Sequence, residues 1–299
     1  MSDHSPDRLE PLITLYEREP ASTATLPPVL AQAYGGGLRL PAQLVGADES
    51  TARPAVIANF VETIDGIVSY SATPGQAGGG AISGENMSDH MLMGLLRACA
   101  DVVIFGAGSF RADRGHVHTP AFVFPPYADA YRDLRQLLGK THPLPLNVVM
   151  SVSGELDLDE PTFHTPGLRA VIATTQAGAA RLATRSLPIG VDVRAITSAG
   201  DTSVDPLATL DLLRREYGVQ LALHEGGPRL LAAFLAAGAL DELFLTFAPQ
   251  LAGRDEAHPR PALLEGLAFS PTTAPWATLL SVKRAASHLM LRYRLTASA

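Results

Sequence analysis

The stretch Leu221–Gly253, LALHEGGPRLLAAFLAAGALDELFLTFAPQLAG, constrains the fold more than any other part of the chain. A short apolar run, Leu221-Ala222-Leu223, breaks at Glu225-Gly226-Gly227-Pro228. A helical pattern then runs to Gly238, and a second apolar run spans Leu243–Ala248. Strand, glycine turn, helix and strand within about 30 residues is the size of a βαβ unit. Pro228 suits the first helical position, where its missing N–H costs nothing. The paired glycines have two readings. They serve either a tight turn with positive φ, or a close approach of backbone to a ligand, with the helix start offering N–H groups to an anion. Glu225 just before them, and a related junction upstream, point to a phosphate site.

That junction follows the apolar strand Asp101–Phe105 and reads Gly106-Ala107-Gly108-Ser109, then Phe110–Asp113. Its GxGxxR spacing differs from the GxGxxG dinucleotide fingerprint. Ahead of it, Ala55–Val61 is a near-continuous apolar run of the kind buried on both faces of a sheet. The turn Glu62–Gly66 and the glycine loop Pro74–Gly80 follow. A helix is expected from Ser83 to about Ala100, with Ser83 as N-cap and Glu85 in its first turn. Met87, Met91, Leu95 and Cys99 recur every four residues along it, which makes Cys99 a buried structural cysteine.

Residues 114–143 read as loop with a short amphipathic helix near Tyr127–Leu138. His116 and His118 have no third ligand nearby and read as a solvated loop, not a metal pair. Strands Leu146–Met150, Ala170–Thr174 and Val191–Ile196 then alternate with helices Gln176–Thr184 and Pro206–Tyr217. Two alternating runs, Thr278–Lys283 and Leu289–Leu295, make a terminal hairpin. The pattern is one α/β domain over 53–299 with a mixed, mostly parallel sheet. Residues 1–52, broken by Pro27-Pro28 and Gly35-Gly36-Gly37, read as an extension packing on that body, with short turns around Leu12–Glu17 and Val29–Tyr34.

Charge and composition remove several classes of function. The formal charge of −7 argues against a nucleic-acid partner. No apolar run approaches the roughly 18 residues of a membrane span. The acidic N-terminus lacks the apolar core of a secretory signal, so a cytoplasmic protein is expected. A single cysteine excludes a disulfide framework and a cysteine zinc cluster.

Three stretches, Asn59–Gly66 (NFVETIDG), Ala81-Ile82-Ser83 through LRACADVVIFGAGSFRAD, and Glu225–Gly253, occur in an order and spacing that resemble one family. This is the C-terminal reductase domain of the bifunctional riboflavin-biosynthesis deaminase/reductase, which has a dihydrofolate-reductase-like three-layer fold. The stand-alone form with an N-terminal extension resembles this chain from about Leu12 onward. The resemblance implies NADPH as hydride donor and a homodimer. It places Ala81 beside the nicotinamide, Ser109 and Asp113 against the cofactor, and Gly226, Gly227, Pro228, Arg229, Leu230 and Leu231 around its phosphates. Asn59, Arg97 and Glu225 fall at substrate positions, and Asp65 in the family's Ser-x-Asp-Gly-like motif, here Thr63-Ile64-Asp65-Gly66. Asp65 and Glu225 are the candidate catalytic groups, with Glu62 a further candidate acid. Ser151 and Arg185 are candidates for reading the 2′-phosphate. The chain has no HxE and no PCxxC, so zinc deamination is not expected of it. After Asp113 it reads Arg114-Gly115-His116-Val117-His118, unlike the Asp-Pro turn common in the full riboflavin enzymes.

The expectation is therefore NADPH-dependent reduction of a ribosylaminopyrimidine phosphate, of the 5-amino-6-(5-phosphoribosylamino)uracil reductase type. The alternatives are a dihydrofolate or pterin reductase, which the same fold would serve, and a non-catalytic nucleotide-binding dimer.

Overall fold

The computed structural model describes residues 9–18, 26–41, 44–45, 52–70, 79–196 and 202–295. Most of the expected loop Pro74–Gly80 and the polar stretch after Val45 lie outside the described residues. In chain order the elements are β1 (Ile13–Glu17), α1 (Pro28–Tyr34), β2 (Leu44–Val45), β3 (Arg53–Thr63), α2 (Gly79–Ser83), α3 (Met87–Cys99), β4 (Val102–Gly106), α4 (Ala107–Ala112), α5 (Pro120–Val123), α6 (Ala128–Leu137) and β5 (Leu146–Ser151). Then follow β6 (Ala170–Thr174), α7 (Gln176–Leu182), β7 (Val191–Ala195), α8 (Pro206–Tyr217), β8 (Leu221–His224), α9 (Pro228–Ala236), β9 (Glu242–Ala248), β10 (Ala277–Ala285) and β11 (His288–Leu295).

The strands form one sheet in the order β1-β10-β11-β9-β3-β8-β4-β5-β6-β7, with β2 pairing the start of β3. From β9 to β7 every pairing is parallel, and β11, β10 and β1 close that edge antiparallel. The βαβ pattern at the glycines is a split one: β8 and β9 lie on either side of β3, both parallel to it. The continuous apolar runs of the parallel strands serve both faces, as period-2 geometry requires. Ala55, Ile57, Val103 and Phe105 pack with α1, α3 and α6. Their alternates Val56, Ala58, Val102 and Ile104 pack with α8 and α9. The result is three layers, with the carboxyl ends of the parallel strands opening along one edge.

Several local expectations need correction. The helix expected from Ser83 is two helices: α2 ends at Ser83, and α3 is capped by Asn86, whose Oδ1 accepts from the backbone N–H of Ser88 and Asp89 (both 3.0 Å). Between them Gly84 and Glu85 are both left-handed (φ 66° and 56°), so Glu85 cannot sit in a helix turn. The segment Leu12–Glu17 is largely a strand, not a turn. It pairs with β10, and Lys283 Nζ donates to Thr14 Oγ1 (2.7 Å) while lying 4.4 Å from the Tyr34 ring centre. Leu30, Ala33 and Tyr34 share the core cluster of α3, so α1 forms part of that layer. The Met91–Leu95–Cys99 stripe is buried; burial pushes the Cys99 thiol up to about 12. Among the described residues no helix is long and apolar enough to cross a membrane.

Candidate active site

A cleft of about 1100 Å³ opens at the carboxyl ends of β3, β8, β4 and β5. Open α/β sheets bind ligands at this end, where strand order reverses. Here β3 and β8 lie between the strands that follow them in opposite directions, and both contribute walls.

One wall is the glycine junction. Neither Gly226 nor Gly227 has positive φ, so the tight-turn reading does not hold. What excludes a side chain is space. A Cβ on Gly226 would come within 2.6 Å of Leu230 Cδ2, and one on Gly227 within 3.2 Å of Ser109 Oγ. Gly227 is the N-cap of α9 and supplies no side-chain acceptor, so backbone faces the cleft bare beside the α4 junction. Arg229, in the first turn of α9, lines the same wall. Ser109, Asp113, Ser151, Pro228 and Leu230 complete this end. Ser151 Oγ accepts from Gly154 N (3.1 Å).

The opposite end is built on α3. Asp89, Met93 and Arg97, spaced by four, present one helix face to the cleft. Arg97 is only 2% exposed, and its guanidinium is wholly engaged by the protein. Nε and Nη2 both donate to Glu225 Oε2 (2.9 and 2.8 Å). Nη1 donates to the carbonyls of Val117 (3.4 Å) and Thr119 (3.2 Å), and Nη2 donates to His116 Nε2 (2.9 Å). Five N–H groups thus meet protein acceptors, the full inventory of an arginine. Arg97 lines the cleft, as its expected substrate position requires, but it has no N–H left over for a ligand. It anchors Glu225 and the 116–119 loop.

Glu225 continues from β8, where its backbone N–H donates to Ile104 O (2.9 Å). Its side chain is 7% exposed, and Oε1 has no hydrogen-bond partner. Burial raises its pKa against the pull of Arg97. His116 accepts from Arg97 at Nε2, so its proton sits on Nδ1, 3.3 Å from Asp113 Oδ2. Burial first, then the charges of Arg97 and His90, lowers its pKa to about 3. His118 stacks on Phe105 with ring centres 3.7 Å apart. The solvated-loop reading of these histidines is thus overturned: His116, His118 and the half-exposed Phe122 line the cleft.

Asn59 and Ala81 also line it. Asp65 does not. Its carboxylate accepts from Thr63 Oγ1 (2.6 Å), Ala252 N (3.0 Å) and Gly253 N (2.6 Å), which lowers its pKa to about 2 and ties two turns together. Asp65 is withdrawn as a catalytic candidate because a carboxylate held this way has no proton to give. Leu231 is buried beneath the sheet in the α8–α9 layer and lies outside the cleft. Arg185 donates to Leu156 O (2.8 Å) and is likewise not a lining residue. Glu62, raised to about 6 by burial, also lies outside the lining. Asp89 and Met93 were missed by sequence reasoning. The four-residue spacing back from Arg97 was the signal that identifies them.

Fold and site together define an α/β reductase-type domain of the dihydrofolate-reductase-like architecture. The chain belongs to the RibD C-terminal domain family, whose pattern matches residues 54–274. A search of curated proteins gives no match. Among solved structures it is similar to Acinetobacter baumannii RibD (19% identity, TM-score 0.59), covering 82% of this chain and 59% of that one. It is also similar to a pyrimidine reductase-like protein from Corynebacterium diphtheriae (23% identity, TM-score 0.63; 82% and 93% covered). A third is a diaminohydroxyphosphoribosylaminopyrimidine deaminase/5-amino-6-(5-phosphoribosylamino)uracil reductase from Thermotoga maritima (17% identity, TM-score 0.56; 82% and 57% covered). The match thus spans less than two thirds of the Acinetobacter and Thermotoga proteins.

Proposed function

We propose that the chain is an NADPH-dependent reductase of a ribosylaminopyrimidine phosphate, acting as a homodimer. The observation that carries the cofactor half is the bare backbone at Gly226-Gly227, where a Cβ would crowd Leu230 and Ser109, placed at the uncapped start of α9. Such a site suits the pyrophosphate of a dinucleotide, with Arg229 adding positive charge and Ser109 and Ser151 adding hydroxyls. The choice of NADP over NAD and the dimer follow the family. The substrate half is supported by the other end of the cleft. Glu225 Oε1 and His118 Nδ1 are buried there without partners and would accept from N–H groups of an aminopyrimidine ring. Phe122 and His116, set edge to face with ring planes 67° apart, offer that ring an aromatic corner.

When bound, the reduced nicotinamide supplies a hydride. The chain's own residues then bind, orient and exclude water. Arg97 holds Glu225 in place by two hydrogen bonds, and it pins the loop carrying His116 through His116 and the carbonyls of Val117 and Thr119.

Titration of the protein with NADPH and with NADH, followed by nicotinamide fluorescence, tests the cofactor assignment. Turnover on a panel of aminopyrimidine and pteridine substrates tests the rest. Gly227→Asp is expected to abolish NADPH binding while the protein keeps its fold. A folded Gly227→Asp protein with unchanged NADPH affinity would remove the phosphate site from the glycine junction. Oxidation of NADPH on dihydrofolate alone would move the substrate to the pterins.

A further inference from the structure

Asp89 stands on the first turn of α3, eight residues before Arg97, about 12 Å along the axis and on the same face. It lines the cleft, yet its side chain is almost fully buried and Oδ2 has no hydrogen-bond partner. An anion so placed requires a cation or several donors; among the described residues no ion pair reaches this carboxyl, and only the hydroxyls of Thr246 and Ser83 favour its charge as donors. Asn86 serves the backbone N–H of Asp89, not its carboxyl. His288, from β11, has Nδ1 facing Asn86 Nδ2 (3.3 Å) and donates from Nε2 to Ser83 O (2.9 Å), which defines a neutral ring. His90, next in sequence, faces Glu85 at 3.6 Å. Every N–H of Arg97 is engaged elsewhere, and its charge is matched by Glu225. Asp89 and Glu225 are close enough for the charge of one to oppose ionisation of the other. Among the described residues Glu225 therefore takes the one cation at this end of the cleft, and Asp89 is left to its own burial. Burial raises the pKa of Asp89, against the opposing pull of the Thr246 and Ser83 hydroxyls and of His90.

We propose that Asp89 holds a proton in the resting protein and delivers it to the substrate nitrogen during reduction, making it a catalytic residue. The inference rests on the reductase reading. In the step, the carbon of the substrate C=N bond gains a hydride, two electrons and one proton, from the reduced nicotinamide. The C=N π pair becomes the lone pair that takes the proton from Asp89, giving a C–H and an N–H bond. Oxidised nicotinamide and the Asp89 carboxylate remain, and the carboxylate regains a proton from water. Asp65 and Glu62 lie outside the lining, and Glu225 is held in an ion pair by Arg97, whereas Asp89 lines the cleft with no ion pair and an unpartnered oxygen.

Two measurements on the full chain test the proposal, with Asp89→Asn as the closest isostere. First, the ligand-free infrared difference between wild type and Asp89→Asn at pH 7 is expected to contain a carboxylic-acid carbonyl band. A difference showing only carboxylate bands would overturn the proton assignment, whatever the protein reduces. Second, Asp89→Asn is expected to keep NADPH affinity within about threefold and lower kcat by at least roughly 100-fold, the scale of a general acid. The alkaline limb of the wild-type kcat profile should vanish with it. Turnover within about threefold of wild type, or a loss confined to KM with the alkaline limb retained, would refute delivery of the proton. If Asp89→Asn does not fold, the band is followed in wild type by pH titration instead. Its absence at neutral pH overturns the proposal, and its loss in parallel with kcat supports it. Failure of the wild type to oxidise NADPH on any substrate would sink the reductase reading and delivery of the proton together, while the infrared result still decides whether Asp89 holds a proton.

Discussion

Arg97→Met isolates the electrostatics of the cleft floor. The substitution keeps the length and apolar stem of the side chain but removes the only cation paired with Glu225 among the described residues. Breaking a buried pair by removing one member costs roughly 3–5 kcal/mol, because the other charge stays buried and uncompensated. Both partners here are more than nine-tenths buried, so solvent screening does little to reduce that figure. The carbonyls of Val117 and Thr119 lose their donor as well. At about 2–4 °C per kcal/mol for a domain of this size, the melting temperature should fall by roughly 6–20 °C at pH 8.

The cost should depend on pH in one direction. The folded-state pKa of Glu225 already lies above its ordinary value, and loss of Arg97 raises it further. A carboxyl of this kind is best tolerated while protonated. Its contribution is most favourable below the unfolded pKa and declines as pH rises through the folded one. Stability of Arg97→Met should thus approach that of wild type near pH 5 and diverge towards pH 8, by about 1.4 kcal/mol for each unit of pKa displacement crossed. Urea and thermal unfolding at both pH values, followed by circular dichroism, measure this directly. Adding Glu225→Met should recover much of the loss, since a buried pair replaced by apolar residues is often neutral. A deficit below about 1 kcal/mol, or one equal at pH 5 and pH 8, would refute a desolvated ion pair at the base of the cleft.

Two further outcomes follow from burial. Cys99 should resist thiol reagents in the native protein and react only with global unfolding, so labelling and unfolding rates should coincide. Fast labelling of folded protein would contradict its place in the core. Residues 1–52, which we propose act as an extension packed on the 53–299 body, supply Leu12, Leu26, Leu30 and Leu38 to the core. At roughly 1.5–3 kcal/mol each, these equal a typical total stability, so deleting the segment should abolish the cooperative unfolding transition. A truncated protein that melts sharply would make the extension dispensable.

The parallel strands and both helices of the glycine unit were legible because each is a local pattern: an apolar run, a proline at the helix start, a glycine at the break. β6 and α8 fall where periodicity puts them. The α2–α3 boundary was not legible, because Ser83 and Glu85 have good capping chemistry, while the left-handed pair Gly84-Glu85 breaks the helix and His288 of β11 contacts Ser83 and Asn86 on either side of it. Asp65 misled for a related reason. Its motif marks a turn beside the cleft, but two of its three hydrogen-bond partners, Ala252 and Gly253, are nearly 190 positions away and no spacing announces them.

The same distinction explains why the two ends of the cleft differ in legibility. At the end formed by Gly226 and Gly227, the packing leaves little room for a side chain, and glycine records that in the sequence. At the α3 end, function depends on which charge meets which. Arg97 alone is compatible with a phosphate ligand, a helix-dipole partner or a buried anchor. Only the convergence of Glu225 from β8, His116 from the following loop, and the carbonyls of Val117 and Thr119 consumes all its donors. That consumption is what leaves Asp89, on the same helix face, without a counter-charge. One arginine position thus settles the pairing of Glu225 and leaves Asp89 to burial. The substitution Arg97→Met should therefore lower the stability of the protein through Glu225 while the Asp89 carboxylic-acid band persists.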